Sequence, residues 1–451
     1  MLGTGLHGLK RALVIFPFAY TGIWLGYYAY TDTLRRHHIR DRNAKLANVL
    51  STLPSSSTDK QLPGPDYTQP ATEVEKEALK ERYGSLKFAG RYWNPYVEWR
   101  EQGAWEWAVW KGFISIVTLK LFYDGGVPPD RPIPDLPVER PDFDLLYPTD
   151  TTSKPKRQPP TSREPGSGGS DVAITDKFTS TWLGQSTTYV TMDNLAILTD
   201  PALQHRTIPS KFAPERLRPP PCSLDELKRV DLVLVSHNHY DHLDPLAIKE
   251  LGDSCEWVVP IGVGPFLREH GATRVTELDW WQETQHTLSR PGQEPKSFTI
   301  TAIPNMHWSA RSPLDTNATL WSAFHVKSNP PSPETKPKSF IHLGDTGYSP
   351  TLYHAVGRVL GPIDHAAIPI GSYEPRWHMH LQHTDPEGAV RMALQMHVKK
   401  SVGVHWGTWL MSDEAYNKPP LDLEIARKKL NVEEEQFCVL PVGKTIVLED
   451  D

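Results

Sequence analysis

Hydrophobic and polar positions divide the chain into four textures. From Ala12 to Thr31, 20 residues pass without a charge, bracketed by Lys10 and Arg11 on one side and Arg35 and Arg36 on the other. That length spans a bilayer core as a helix, and Trp24, Tyr27, Tyr28 and Tyr30 gather toward its end as an interfacial belt would. The expectation is a retained transmembrane helix with basic flanks over residues 1–42. Pro17 and Gly22 are tolerated in such a helix, and no small-residue cleavage site follows.

Residues 43–127 begin as a polar, charged linker with room for a short helix. They continue as a Trp-rich zone from Tyr92 to Phe122, with Trp93, Trp99, Trp105, Trp107 and Trp110. Charge interrupts that zone too often for it to cross a membrane. It reads equally as an amphipathic helix lying on lipid and as a helix packed on the rest of the protein. Residues 128–170 turn rich in Pro, Ser and Gly and read as a flexible linker or disordered insertion.

From residue 171 to 451 the pattern changes again. Short β-like runs at Tyr189–Met192, Leu195–Thr199, Asp231–Ser236, Trp257–Pro260, Phe298–Ile303, Ser339–Leu343, Ala366–Ile370 and Ser401–His405 alternate with helical or loop segments. This is an α/β pattern whose strands feed loops at their ends.

Length and composition narrow the reading. At 451 residues the chain exceeds one average domain, which suits one large domain plus an extension. The 48 basic and 54 acidic residues leave a formal charge of −6, with no basic excess that would make nucleic acid the main partner. Three cysteines without a CxxC pair exclude a thiolate zinc site and argue against a disulfide framework. Any metal must therefore be held by His and carboxylates. Basic residues are denser after the uncharged stretch (Arg35, Arg36, Arg40, Arg42, Lys45) than before it, which places the bulk of the chain on the cytosolic face of an endomembrane. The absence of acid from residues 1–31 equally suits a mitochondrial targeting segment and the inner membrane.

The buried-strand run Asp231–Ser236 is followed at once by His237-Asn-His239-Tyr-Asp241-His242. Metal-competent side chains packed this closely at a strand end can converge on two adjacent cations, and imidazole with carboxylate suits zinc in a hydrolytic site. The motif resembles that of the metallo-β-lactamase superfamily, whose fold is an αβ/βα sandwich with a dinuclear metal site. The resemblance implies three more ligands at strand ends, and His307, Asp345 and His405 stand in that order. It further implies that His237, His239 and His307 hold one zinc, that Asp241, His242 and His405 hold the other, and that Asp345 bridges them.

The flanking runs are more particular. Trp182-Leu-Gly-Gln-Ser-Thr187, Leu198-Thr-Asp-Pro201, Glu277-Leu-Asp-Trp-Trp281, His307-Trp-Ser-Ala-Arg311, Gly344-Asp-Thr-Gly-Tyr348, Gln382-His-Thr-Asp-Pro-Glu387 and His405-Trp-Gly-Thr408 resemble the phospholipases D that hydrolyse N-acylphosphatidylethanolamine. The similarity covers roughly residues 172–445. It implies a zinc-dependent phosphodiesterase that yields an N-acylethanolamine and phosphatidic acid by attack of a metal-activated hydroxide on phosphorus. It also implies substrate contacts by Tyr240 and His383, with Asp241, Asp345 and His383 as the catalytic set, a membrane phospholipid substrate in a bilayer, and a homodimer. Two departures stand out: Gln185 occupies a position where that group has His, and Ser210–Arg216 lacks the usual pattern. Two other classes stay open, a lactonase or thioesterase on another substrate and a non-enzymatic membrane-organising protein. The complete ligand set counts against the second.

Overall fold

The computed structural model describes residues 3–52, 70–103, 106, 108–114, 133, 136–148, 172–208, 210–211, 213–290, 293–312 and 314–448; the side chains of 3–17 and of 114 lie outside the description. A two-stranded hairpin, β1 (Lys87–Phe88) and β2 (Arg91–Tyr92), precedes two seven-stranded sheets. In the first sheet β3 (Thr179–Gly184), β4 (Thr187–Met192), β5 (Leu195–Thr199), β6 (Leu232–Leu234), β7 (Glu256–Pro260) and β8 (Val275–Leu278) lie in sequence order. The second runs likewise through β9 (Glu283–Arg290), β10 (Gln293–Ile303), β11 (Ala323–Asn329), β12 (Ser339–His342), β13 (Ile363–Pro369), β14 (Val398–Val404) and β15 (Phe437–Cys438). The last strand, β16 (Thr445–Val447), returns to pair with β3.

Why the strands of the first sheet read as unbroken apolar runs is visible in β5 and β6. Leu195, Ile197, Leu232 and Leu234 belong to one buried cluster, while Ala196, Leu198, Val233 and Val235 belong to another. A strand alternates its side chains between faces, so a run apolar at every position needs cover on both. The second sheet covers one face. Helices cover the other, where Ala247, Ile248 and Leu251 are buried. Pairing is parallel from β5 to β8 and from β12 to β15, through crossover connections that carry helices everywhere among the described residues except between β5 and β6. The result is the expected αβ/βα sandwich. All eight β-like runs read from the sequence lie on observed strands or at their ends; β8, β9 and β11 carry more polar residues and were not legible as strands.

The N-terminal expectation needs correction. Helix α1 (Gly3–Thr52) runs for 50 residues, well beyond the stretch read as a transmembrane helix and into the segment read as linker. Among the described residues no helix is long and apolar enough to cross a membrane. The physical reason lies in Phe18–Thr31, where four tyrosines, two threonines and two glycines dilute the apolar residues; the side chains of 12–17 lie outside the description. The described residues therefore lend no support to a membrane anchor.

The later part of α1 is instead bound to the protein. Arg35 is fully buried, pairs with Asp32 at 2.7 Å, and donates to the carbonyls of Asn94 (3.3 Å), Tyr96 (2.6 Å) and Trp99 (2.9 Å). Two turns on, Arg42 donates to the carbonyls of Gly84 and Ser85 at 2.6 and 3.0 Å. Helix α2 (Glu73–Arg82) is joined to the body by a buried pair between Glu75 and Arg358 at 2.7 Å.

Of the Trp-rich zone, Trp93, Trp99 and Trp110 are buried. Trp110 donates to Asp413 at 3.0 Å and packs on His378, which supports the packed reading for that part of the zone. Trp105 and Trp107 lie outside the described residues. Within the stretch read as linker, residues 136–148 are not loose: Leu136, Leu146 and Tyr147 are buried and Val138 bridges to Val442. Most of the rest of that stretch lies outside the described residues.

Candidate metal centre

The candidate ligands come from the carboxyl ends of strands in both sheets, gathered at one edge of the sandwich. His237, His239, Asp241 and His242 follow β6, His307 follows β10, Asp345 follows β12 and His405 follows β14. Gly344 lets Asp345 approach. Its φ is +58°, and a Cβ there would lie 2.3 Å from that of Ser236, so only glycine fits this crossing of the two sheets.

The side chains form two adjacent groups. In the first, His237 Nε2 lies 2.8 Å from His239 Nδ1, and His307 Nε2 lies 3.3 Å from the same atom. Tautomers explain why three ring nitrogens face one another. The Ser236 hydroxyl donates to Asp200 at 2.7 Å and so accepts from His237 Nδ1 at 2.9 Å. His307 Nδ1 donates to the Gln382 carbonyl at 2.9 Å. Both protons are thereby fixed on the far side of the rings, leaving bare Nε2 lone pairs aimed at a common point.

In the second group His242 Nε2 lies 3.4 Å from Asp241 and 3.1 Å from Asp345, and His405 Nε2 lies 3.4 Å and 3.0 Å from the same carboxylates. His242 Nδ1 donates to ionised Asp200 at 2.8 Å, so Nε2 is the nitrogen left to face Asp241 and Asp345. Asp345 reaches both groups, with its Oδ2 also 3.7 Å from His307 Nε2.

Electrostatics agrees with a cation-binding role. Burial holds His237 well below the ordinary imidazole range and takes His239 and His307 down to about 4 and about 3, so these rings stay neutral as ligands must. Burial alone would raise Asp241 and Asp345. The imidazoles beside them outweigh it and keep both carboxyls well below their usual range. Burial would likewise lower His242 and His405, but the carboxylates prevail and raise both, His405 to about 9. The cluster calls for positive charge: protons on His242 and His405 supply part of it beside the two carboxylates, and a divalent cation would take their place.

The groups open into a cavity of about 710 Å³. Its walls include Trp99, Trp110, Ile208, Trp308 and Met379, so the N-terminal extension helps to build it. His383 stands at the floor, its Nδ1 3.7 Å from Asp345 Oδ2 and its ring against His307 and His405. Tyr240 lines the wall with its hydroxyl donating to the Arg311 carbonyl at 2.8 Å and its ring under the Arg311 guanidinium at 4.1 Å. That bond fixes the ring as a rigid part of the wall.

Sequence reasoning missed the residues that hold the ligands. Asp200 accepts from Ser236, His242 and His342, and sits in the Leu198-Thr-Asp-Pro201 run that carried the resemblance. Asn94 donates to the His307 carbonyl at 2.7 Å, and the Tyr96 hydroxyl donates to the Asn305 carbonyl at 3.0 Å. Asn305 in turn donates to the Leu343 and Asp345 carbonyls at 2.9 Å each, coupling the two ligand loops.

Comparison with known proteins gives concordant results. Residues 196–406 match the beta-lactamase superfamily domain. The mitochondrial N-acyl-phosphatidylethanolamine-hydrolyzing phospholipase D of Saccharomyces cerevisiae is 31% identical over 384 residues, covering 81% of this chain and 77% of that protein. The N-acyl-phosphatidylethanolamine-hydrolyzing phospholipase D 1 of Caenorhabditis elegans is 34% identical over 276 residues, covering 59% of this chain and 74% of that protein.

Proposed function

The chain belongs to the N-acylphosphatidylethanolamine-hydrolysing phospholipase D family of metallo-β-lactamase hydrolases, and from that membership we propose that it cleaves N-acylphosphatidylethanolamine to an N-acylethanolamine and phosphatidic acid using two zinc ions. The observation that carries this reading is the placement of two adjacent His/Asp donor groups at the floor of a cavity with apolar walls. A phosphodiester head group needs the first and the lipid stem needs the second.

His237, His239 and His307 on one side and Asp241, His242, Asp345 and His405 on the other would hold two divalent cations, which would lower the pKa of a bound water and offset charge on the phosphoryl oxygens. The chain's own residues do the rest. Asp345 reaches both donor groups and sets their spacing. The Asp200–Ser236–His237 chain and the Asp200–His242 bond fix ring tautomers so that lone pairs face inward. His383 sits beside Asp345, where its ring, held neutral by burial that takes it down to about 3, can donate an N–H bond to a phosphoryl oxygen or to the departing alkoxide. Tyr240, Trp308 and Trp99 shape the passage for the head group. The substrate resides in a bilayer, so the enzyme works at a lipid surface, and the mitochondrial relative favours an organellar membrane.

Purified protein assayed against N-acylphosphatidylethanolamine, lactones and thioesters, with and without chelator, tests the reading. Release of N-acylethanolamine that chelator abolishes is expected. Turnover confined to lactones or thioesters overturns it.

A further inference from the structure

Gln185 follows β3 and is 1% exposed, with its side chain turned into the second donor group. Its Nε2 lies 2.7 Å from Asp241 Oδ2 and 2.8 Å from His405 Nε2. The backbone leaves it nowhere else to go. Gln185 N–H donates to Thr408 Oγ1 at 2.7 Å, and its carbonyl accepts from Trp182 Nε1 and the His405 N–H at 2.8 Å each. Its φ is +50°, and that of His405 is +61°, so two non-glycine residues hold left-handed conformations to bring these side chains together. Such conformations are unfavourable for residues with a Cβ and persist where surrounding contacts over-determine them.

The spacing is that of a coordination shell. Two atoms bound to one cation at about 2.1 Å lie about 3.0 Å apart when they meet it at a right angle. The second group shows 3.4 Å from Asp241 to each histidine, 3.1 Å from His242 to Asp345 and 3.0 Å from His405 to Asp345. The Gln185 amide stands off by 2.7 and 2.8 Å, as one more neighbour in the same set.

Which end of the amide faces the set depends on charge. Toward protein atoms alone the nitrogen does, because ionised Asp241 only accepts. Once the single in-plane lone pair of His405 Nε2 is given to a cation, an amide hydrogen pointing there has no acceptor and faces positive charge. Half a turn about the terminal bond brings Oε1 to the same place with its lone pairs forward.

We infer that Gln185 supplies Oε1 as a fifth protein donor to the cation held by Asp241, His242, Asp345 and His405. The inference rests on the proposal that two cations bind. It makes the two positions unlike: three nitrogens and a shared carboxylate at the first, two nitrogens and three oxygens at the second. The second position then favours higher coordination and accepts manganese or iron more readily than the first, since oxygen-rich, near-octahedral sets suit those ions.

Titration of chelator-stripped wild type, Gln185→Leu and Gln185→Glu with Co²⁺, followed by calorimetry and visible absorption, tests this. Wild type should take up two equivalents, one with the weak absorption of a five- or six-donor site and one with the stronger absorption of a four-donor site. In Gln185→Leu one equivalent should weaken by about tenfold or more and its absorption intensify, with the other unchanged. Gln185→Glu should keep both at wild-type affinity or tighter. If Gln185→Glu loses the second equivalent as badly as Gln185→Leu, the amide serves only as a hydrogen-bond donor to Asp241 and the inference fails. It also fails if Gln185→Leu leaves affinity and spectrum unaltered. A wild type that binds one equivalent overturns the dinuclear reading as well, so the two failures are distinct. Should Gln185→Leu not fold by circular dichroism, Gln185→Met takes its place, and the Glu variant decides independently.

Discussion

At the scale of single residues, Asp345 and Asp200 separate two kinds of acidic group. Asp345 faces both donor groups, so Asp345→Asn should remove most activity and lower metal uptake while leaving the fold intact, because an amide is a poor bridge. Turnover within a few-fold of wild type, with circular dichroism unchanged, would show that Asp345 is not the bridge. Asp200 works behind the ligands. Burial would raise its carboxyl, but His342 and His242 outweigh burial and hold it down to about 2. A depressed carboxyl contributes stability that is present above its unfolded value near 3.8 and is lost as pH falls through its folded value. In metal-free protein Asp200→Asn should therefore cost about 2 kcal/mol at neutral pH. That deficit should shrink between pH 4 and pH 2, as read from urea unfolding at each pH. A deficit constant across this window would assign the loss to packing instead.

Single elements decide how the ligand loops are held. The segment from Asn94 to Trp99 is tied on one side to Arg35 of α1 and on the other to the loop carrying His307. Asn94→Ala removes the bond to the His307 carbonyl. It should weaken metal binding at the three-histidine group about tenfold, as supporting partners of ligands commonly do, with little change in secondary structure. Metal titration checks this. Arg35→Met should be harsher: it leaves three buried carbonyls without that donor and Asp32 with Arg36 alone, at a cost of about 3–5 kcal/mol measured by chemical denaturation. The same element shows where sequence pattern misleads. An uncharged stretch of 20 residues has the length of a membrane span. Over Phe18–Thr31, however, tyrosines and glycines dilute the apolar residues, and the helix continues through Arg35 and Arg42, whose carbonyl acceptors lie far away in sequence. Nothing local announces a fully buried arginine, because its acceptors are backbone carbonyls about sixty residues on.

For the whole molecule, both sheets and the N-terminal extension converge on one site, so metal and extension should each stabilise all of it. Elemental analysis of active protein is expected to find about two zinc ions per chain, and chelation should lower the thermal midpoint. Removing residues 1–52 should lower it too and reduce activity on detergent-dispersed substrate, since Asn94–Trp99 then loses the Arg35 clamp. A truncated enzyme of unchanged midpoint and activity would make α1 an appendage. By itself the sequence determined the α/β class, the strands buried on both faces and the candidate donors His237, His239, Asp241 and His242 packed at one strand end. These follow from local apolar runs and from residue types whose chemistry is fixed wherever they stand, whereas His307, Asp345 and His405 were marked only by the family resemblance until the fold brought them beside the first four. Tertiary structure alone decided that Asp200 sets two ring tautomers, that Gln185 enters the second donor group, and that Asn94, Tyr96 and Arg35 brace the site. Each of those roles is a contact between chain segments remote in sequence, created when the two sheets close on one another and the extension folds across their edge.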